Sequence, residues 1–161
     1  MVNLSDPTIQ DLLNGRYIAT LATENNDGSV HLTAVWFLFE AGTLYIASNS
    51  QSRKVRNIVA RPNASLMVDS RKPASERGLA AAGRAEIITG QPSTELNLRI
   101  HRRYMSEKAL ADARVGPVMA GFDNVTVQLK PARWHAWDMS ALDKAAFGGA
   151  MKTPGYLLPL D

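Results

Sequence analysis

The sequence predicts a mainly β fold, a small β-barrel with short helices at its periphery. Three observations predict it. β-Branched and aromatic runs alternate with short turns over residues 17–48. The long run at 29–40 is apolar on both faces, which suits a barrel wall better than a sheet with one wet side. A single helical insertion comes late in the chain, after which strand character returns. That order excludes a doubly wound parallel sheet.

The elements follow in order. "DPTIQDLLNG" predicts a short leading helix: Asp6 as N-cap, Pro7 in the first turn, an apolar stripe of Ile9, Leu12 and Leu13, and Gly15 as the stop. "YIATLAT", "SVHLTAVWFLFE" and "TLYIAS" read as three antiparallel strands, with Asp27-Gly28 in a tight turn between the first two. In the middle strand Leu32, Ala34, Trp36 and Leu38 share one face and His31, Thr33, Val35, Phe37 and Phe39 the other. After the "SRKVRNIVA" segment, "SLMVD" predicts a fourth strand and "LAAAGRAEII" a fifth, whose glycine marks a bulge or a close approach. "QPSTELNLRIHRRYMSEKALADAR" predicts a helix with Leu96, Ile100 and Tyr104 on one side, and a second short helix behind it. "NVTVQLKP" and "ARWHAWDM" read as two closing strands. "FGGAMKTPGYLLPLD" reads as an irregular tail too apolar to be wholly free.

The 161 residues fit one domain, 1–161, with a hydrophobic content of 45% that is enough for a core. Without cysteine there is no disulfide, zinc-thiolate site, iron–sulfur cluster or cysteine nucleophile. No leader-like segment and no long apolar span is present, so the expected location is cytoplasmic and no membrane partner is expected. The net charge of +3 and pI near 9.4 favour an anionic partner only weakly.

"SNSQSRKVRNI", residues 48–58, sets Arg53, Lys54 and Arg56 at the start of a helix, with Ser50 or Ser52 as its cap. Cations there oppose the macrodipole and the free backbone N–H groups, at about 0.3–1 kcal/mol each. A bound phosphate reverses the sign, since it accepts from the N–H groups and the serines and pairs with the cations. The competing reading is a solvated basic turn.

Other constellations are weak. His31, His101 and His135 match no metal-ligand spacing, so no metal is expected. No G-x-S-x-G elbow, Walker loop or Rossmann glycine pattern occurs, and no side chain stands out as catalytic. Single-strand nucleic-acid binding is the competing class for a basic barrel, but Trp36, Trp134 and Trp137 lie in apolar runs rather than among lysines and arginines. No nucleic-acid partner is therefore expected. In "ARWHAWDM", Arg133, His135 and Trp137 share one face and Trp134 and Ala136 the other, which suits either a planar-ligand pocket or a rim strand.

The stretch "IATLATENNDGSVHLTAVWFLFEAGTLYIASNSQSRKVRNI", continued by "NASLMVD", resembles the pyridoxamine 5′-phosphate oxidase-like FMN-binding split-barrel family, including its deazaflavin-dependent branch. The resemblance is strong over residues 17–86 and looser to 137. It implies a homodimeric split β-barrel with one cofactor, FMN or coenzyme F420, in each of two clefts between subunits. It further implies that His31, Leu32, Thr33, Ala34, Val35 and Trp36 run along the ring and its side chain, that Ala47 and Ser48 touch the cofactor, and that Ser52, Arg53 and Lys54 hold its phosphate. Asn57 and Arg77 are implied as further polar contacts, and Arg133, His135 and Trp137 as substrate residues. For the deazaflavin the resemblance also implies a polyglutamate tail, with Arg56, Arg61 and Lys72 as candidates to meet it.

Tyr104 matches the family, but Lys108 and Asp112 stand where arginine and serine would hold a substrate phosphate. An aspartate repels a phosphate, so pyridoxamine 5′-phosphate is not the expected substrate. The resulting expectation is an oxidoreductase acting on a small organic molecule, with a non-catalytic flavin, haem or tetrapyrrole carrier as the alternative.

Overall fold

The computed structural model describes residues 2–73, 75–121 and 124–158. The leading helix α1, Pro7–Asn14, forms as its sequence requires: the Asp6 carboxylate accepts from the Thr8 and Ile9 N–H groups, and Ile9, Leu12 and Leu13 are buried. Strands β1 (Ala19–Glu24) and β2 (Val30–Val35) pair through a tight turn, where Gly28 takes the positive φ that a side chain resists.

The run expected to be one strand is two. It breaks at Trp36 into β2 and β3 (Phe37–Glu40), and these halves lie at opposite edges of a single seven-stranded antiparallel sheet, in the order β2-β1-β5-β6-β7-β4-β3. One residue joins the two edges, so the sheet must curl until they meet at Trp36 and stay apart beyond it. This is a barrel with a split. Hydrophobic alternation runs unbroken through the corner, and nothing in the period marks it.

β4 (Thr43–Asn49) pairs with β3, and α2 (Arg53–Ala60) follows it directly. β5 (Asn63–Ser70), β6 (Arg77–Ile88) and β7 (Asn124–Asp138) complete the wall. The two strands expected at the end of the chain are one strand, β7, which passes through Pro131. That is possible because Pro131 lies at the bulge between Ala82 and Gly83, where the ladder is already interrupted. Gly83 is needed there, since a Cβ would lie 2.1 Å from the Lys130 carbonyl oxygen.

The interior is filled by Leu21, Phe37, Leu44, Ile46, Leu66, Val68, Leu79, Val127 and Leu129, all essentially buried. Between β6 and β7 lie α3 (Gly90–Tyr104), α4 (Glu107–Ala111) and α5 (Gly116–Gly121). The buried side of α3 is more polar than the expected Leu96–Ile100–Tyr104 stripe. Ser93, Asn97, Ile100 and His101 are its buried residues, because Asn97 and Ser93 satisfy Thr126 and the Val125 carbonyl on β7.

β7 is followed by a helix that the sequence reading did not anticipate, α6 (Met139–Phe147). It is capped by the Asp138 carboxylate and closed by Gly148 in the left-handed conformation. Leu157 joins Met139, Leu142 and Phe147 around a small cavity of about 150 Å³. Residues 159–161 of the expected apolar tail lie outside the described residues.

Candidate functional site

α2 begins at the end of β4, so the hairpin geometry fixes where its basic first turn points. Ser52 is the N-cap residue, but its hydroxyl makes no bond to the helix; it pairs with the Ser48 hydroxyl at 2.9 Å. The first-turn N–H groups of Arg53, Lys54 and Val55 therefore have neither helical acceptors nor a capping side chain. Lys54 is half-buried, and burial holds its ammonium below the usual lysine range. It forms no ion pair among the described residues.

Lys54, Ser48 and Ala47 line one wall of a cavity of about 400 Å³, with Ala34, Val35 and Trp36 on another. Two halves of the basic segment thus diverge. Lys54 enters this cavity, whereas Arg53 lines a separate groove on the far side of α2, with Arg56 and the Asn25–Ser29 turn. Asn57 sits at the base of that groove, buried, donating to the Thr23 hydroxyl at 3.1 Å and the Asn25 side-chain oxygen at 3.0 Å. It ties α2 to the β1–β2 turn.

The remaining expected residues are spread over the sheet. Register places His31 and Thr33 opposite Thr23 and Leu21, on the inward face, and Leu32 opposite Ala22 on the outward face, 63% exposed. Arg77 pairs with Asp138, at the other end of β7 from Val125, the partner of Ser48. There its guanidinium binds the Asp11 carboxylate, which also accepts from the Tyr17 hydroxyl at 2.8 Å.

Arg133, His135 and Trp137 share the outward face as the alternation predicts, with His135 and Trp137 rings 6.3 Å apart and Trp137 over Gly78. Register aligns His135, Ala80, Met67, Thr20 and Ala34 in one row across that face. Ala34 borders the cavity, and His135 lies four strands away along the curled sheet. His135 is not among the cavity's described lining residues. Of the tail-binding candidates, Arg61 is engaged by the Glu24 carbonyl and Asn26, and Arg56 by the Gln51 carbonyl. Lys72 lies exposed in the loop before β6.

The sequence reading missed two features of the cavity. His101 on α3 lines it, 8% exposed, with its ring edge-on to Trp36 at 6.3 Å. Its position one residue from buried Ile100, on the side that carries Asn97, is the signal that placed it inward. Trp36 in turn stacks flat on Tyr104 at 5.1 Å. The Tyr104 hydroxyl donates to the Tyr17 carbonyl at 2.8 Å, and Arg103 donates to the Leu13 and Gly15 carbonyls at the end of α1.

These contacts tie α3 to the end of α1, to the segment before β1 and to Trp36. Asp112 is occupied by Arg114. Among the described residues no cluster of His, Asp or Glu is placed to hold a metal, and no helix is long and apolar enough to cross a membrane.

Comparison with known proteins gives one family: that described as pyridoxamine 5′-phosphate oxidase, matched over residues 5–138. No curated protein matches. Among solved structures, the conserved hypothetical protein Rv2991 from Mycobacterium tuberculosis is 25% identical with a TM-score of 0.72, over 88% of this chain and 89% of that one. An F420 reductase is 26% identical with a TM-score of 0.62, over 78% and 94%. HutZ, a haem storage protein from Vibrio cholerae, shares the fold at 15% identity and a TM-score of 0.61, over 83% and 93%.

Proposed function

The chain belongs to the pyridoxamine 5′-phosphate oxidase family, and on that premise we propose that it is a single-domain, homodimeric oxidoreductase. It holds FMN or coenzyme F420 in the Lys54–Trp36 cavity and passes hydride or electrons to or from a small organic substrate. The observation that carries this reading is Lys54: a half-buried cation beside two hydroxyls and the open N–H groups of α2, in a cavity whose described lining contains no carboxylate. A desolvated cation without a counter-charge is unfavourable in the free protein and favourable once an anion arrives.

The residues fit the cofactor. Lys54, Ser48 and Ser52 suit its phosphate, and the first-turn N–H groups add donors. Ala34, Val35 and Ala47 are small or flat enough to border a planar ring, and the volume falls within the range of pockets for ligands of this size. When bound, the ring supplies the redox chemistry, as a hydride carrier for F420 or a one- or two-electron carrier for FMN. This chain positions it, with Trp36 fixed by Tyr104, and excludes water. The F420 reductase at 26% identity makes the deazaflavin a full alternative to FMN.

Arg133, His135 and Trp137 do not line the cavity of their own chain, and in this reading they reach it from a second copy packed on the outward sheet face, where Ile18, Val30 and Leu32 are exposed. The proposed substrate contacts thus require the homodimer.

The test is the visible spectrum of the purified protein, followed by titration with FMN and with F420. Binding of either, weakened by Lys54→Ala about 30- to 100-fold, or some 2–3 kcal/mol, supports the reading. A colourless protein that binds neither ends it. Tight binding with no turnover across donors and acceptors favours a carrier instead.

A further inference from the structure

His101 is a buried titratable group that the proposed function does not use. Its ring is held in place by a stack: Trp36 packs edge-on against it, and Tyr104, anchored to the Tyr17 carbonyl, packs flat on Trp36. Neither ring nitrogen hydrogen-bonds to a described residue, and neither is among the fully enclosed unpaired polar atoms. The other charged group in the described lining is Lys54, from α2. Tyr104 lies on the same helix as His101, and Glu40 of β3 is held at the surface by Arg99. The remaining polar walls, Ser48, Asn49 and Asn124, do not titrate near neutrality.

Burial holds the imidazole below its ordinary value, hence neutral at pH 7. With a cofactor's phosphate paired to Lys54, a further negative charge appearing on the ring would favour the imidazolium.

We propose that His101 is the proton-bearing residue of the cavity, taking up a proton when a bound ring is reduced and releasing it on reoxidation. This rests on the reading of the cavity as a redox-cofactor site. The balance is simple. Two electrons and one proton, delivered together as hydride by a nicotinamide-class donor or as dithionite electrons plus a solvent proton, would leave the ring with one added negative charge. A second proton, from solvent, goes to the imidazole, which becomes imidazolium. On oxidation the electrons pass to the acceptor and both protons leave, one from the ring and one from His101. Net charge in the cavity is unchanged through the cycle, which a low-dielectric site favours.

The experiment is an NMR titration of histidine-labelled protein loaded with FMN, and separately with F420, between about pH 5 and pH 8. It is run first oxidised and then after reduction, with dithionite for FMN and with borohydride, a hydride donor, for F420. The chain has three histidines, so the signals resolve, and His101→Gln identifies one of them. Should that variant fail to fold, His31→Gln and His135→Gln assign the signal by elimination.

The expected result is a His101 signal that is neutral at pH 7 when oxidised and titrates at least one pH unit higher when reduced, a tenfold or greater change in proton affinity. Identical His101 titrations in the two states overturn the proposal while leaving the cofactor reading intact. A protein that binds neither cofactor overturns both.

Discussion

Lys54 and Tyr104 are two residues that the family pattern assigns to phosphates, and their surroundings separate them. Tyr104 is used up by the fold: its hydroxyl bonds the Tyr17 carbonyl and its ring supports Trp36. Tyr104→Phe removes the bond but keeps the stack, so it should lower unfolding free energy by about 1 kcal/mol and leave cofactor affinity within a factor of two or so, as measured by urea denaturation and fluorescence titration. Lys54→Met should do the opposite, losing affinity while raising the melting temperature of the ligand-free protein, because it removes a cation that burial disfavours.

His101 gives a pH signature. Its folded value is depressed below 6.5 by burial, so between that lower value and 6.5 the unfolded chain binds more protons than the folded one. The associated stability is complete above 6.5 and is lost as pH falls below it. Thermal unfolding of the free protein should therefore weaken between pH 7 and pH 5 more steeply in wild type than in His101→Gln. Parallel curves would remove His101 as the source.

At the scale of elements, the local signals were legible wherever a single residue decides the backbone. Asp6 starts α1, Asp27-Gly28 turns the first hairpin, and the glycine in "LAAAGRAEII" sits at the β6–β7 bulge. They were illegible wherever the decision is tertiary. The break at Trp36 leaves the alternation of residues 29–40 intact, so only the meeting of two sheet edges reveals it. Pro131 looks like a terminator and is instead absorbed opposite Gly83. The start of α6 did carry a signal, Asp138 before the helix and Gly148 after it, but "ARWHAWDM" continued so smoothly as strand that the cap was read as its end. In the site, the phosphate-like helix start was readable from charge alone, while the divergence of Arg53 from Lys54 was not. Adjacent residues on a helix point about 100° apart, and which of them meets the cavity depends on how α2 docks.

Gly83 tests this level directly. Gly83→Ala brings a Cβ against the Lys130 carbonyl, a backbone atom that cannot swing away. It should cost about 3 kcal/mol in chemical denaturation. Gly28→Ala, whose strain is only the positive φ of a turn with open space around it, should cost about 1 kcal/mol.

The proposed homodimer has a counterpart in the surface of the molecule as a whole. The accessible area of one chain is 9734 Å², whereas a compact chain of 17.6 kDa is expected to expose about 7,900 Å². The excess, about 1,800 Å², is of the size that each partner buries in an obligate dimer. The outward face supplies the apolar part of it: Ile18, Val30 and Leu32 are more than half exposed, and the rows behind them are built of Ala22, Ala80 and Ala82, small enough for another sheet to approach closely. The same face carries Arg133, His135 and Trp137, none of which lines the cavity of its own chain.

One substitution therefore tests assembly and site together. Leu32→Arg puts a charge in the exposed apolar part of this face without touching the core, since Leu32 is 63% exposed. In sedimentation, wild type should run as two chains of 17.6 kDa and the variant as one, with unfolding free energy per chain changed by no more than about 0.5 kcal/mol once the dimer term is removed. Cofactor affinity should fall with dimer dissociation, so that raising protein concentration restores both in parallel. If the variant is monomeric yet binds cofactor as tightly as wild type, the cavity is complete within one chain, and Arg133, His135 and Trp137 belong to some other surface.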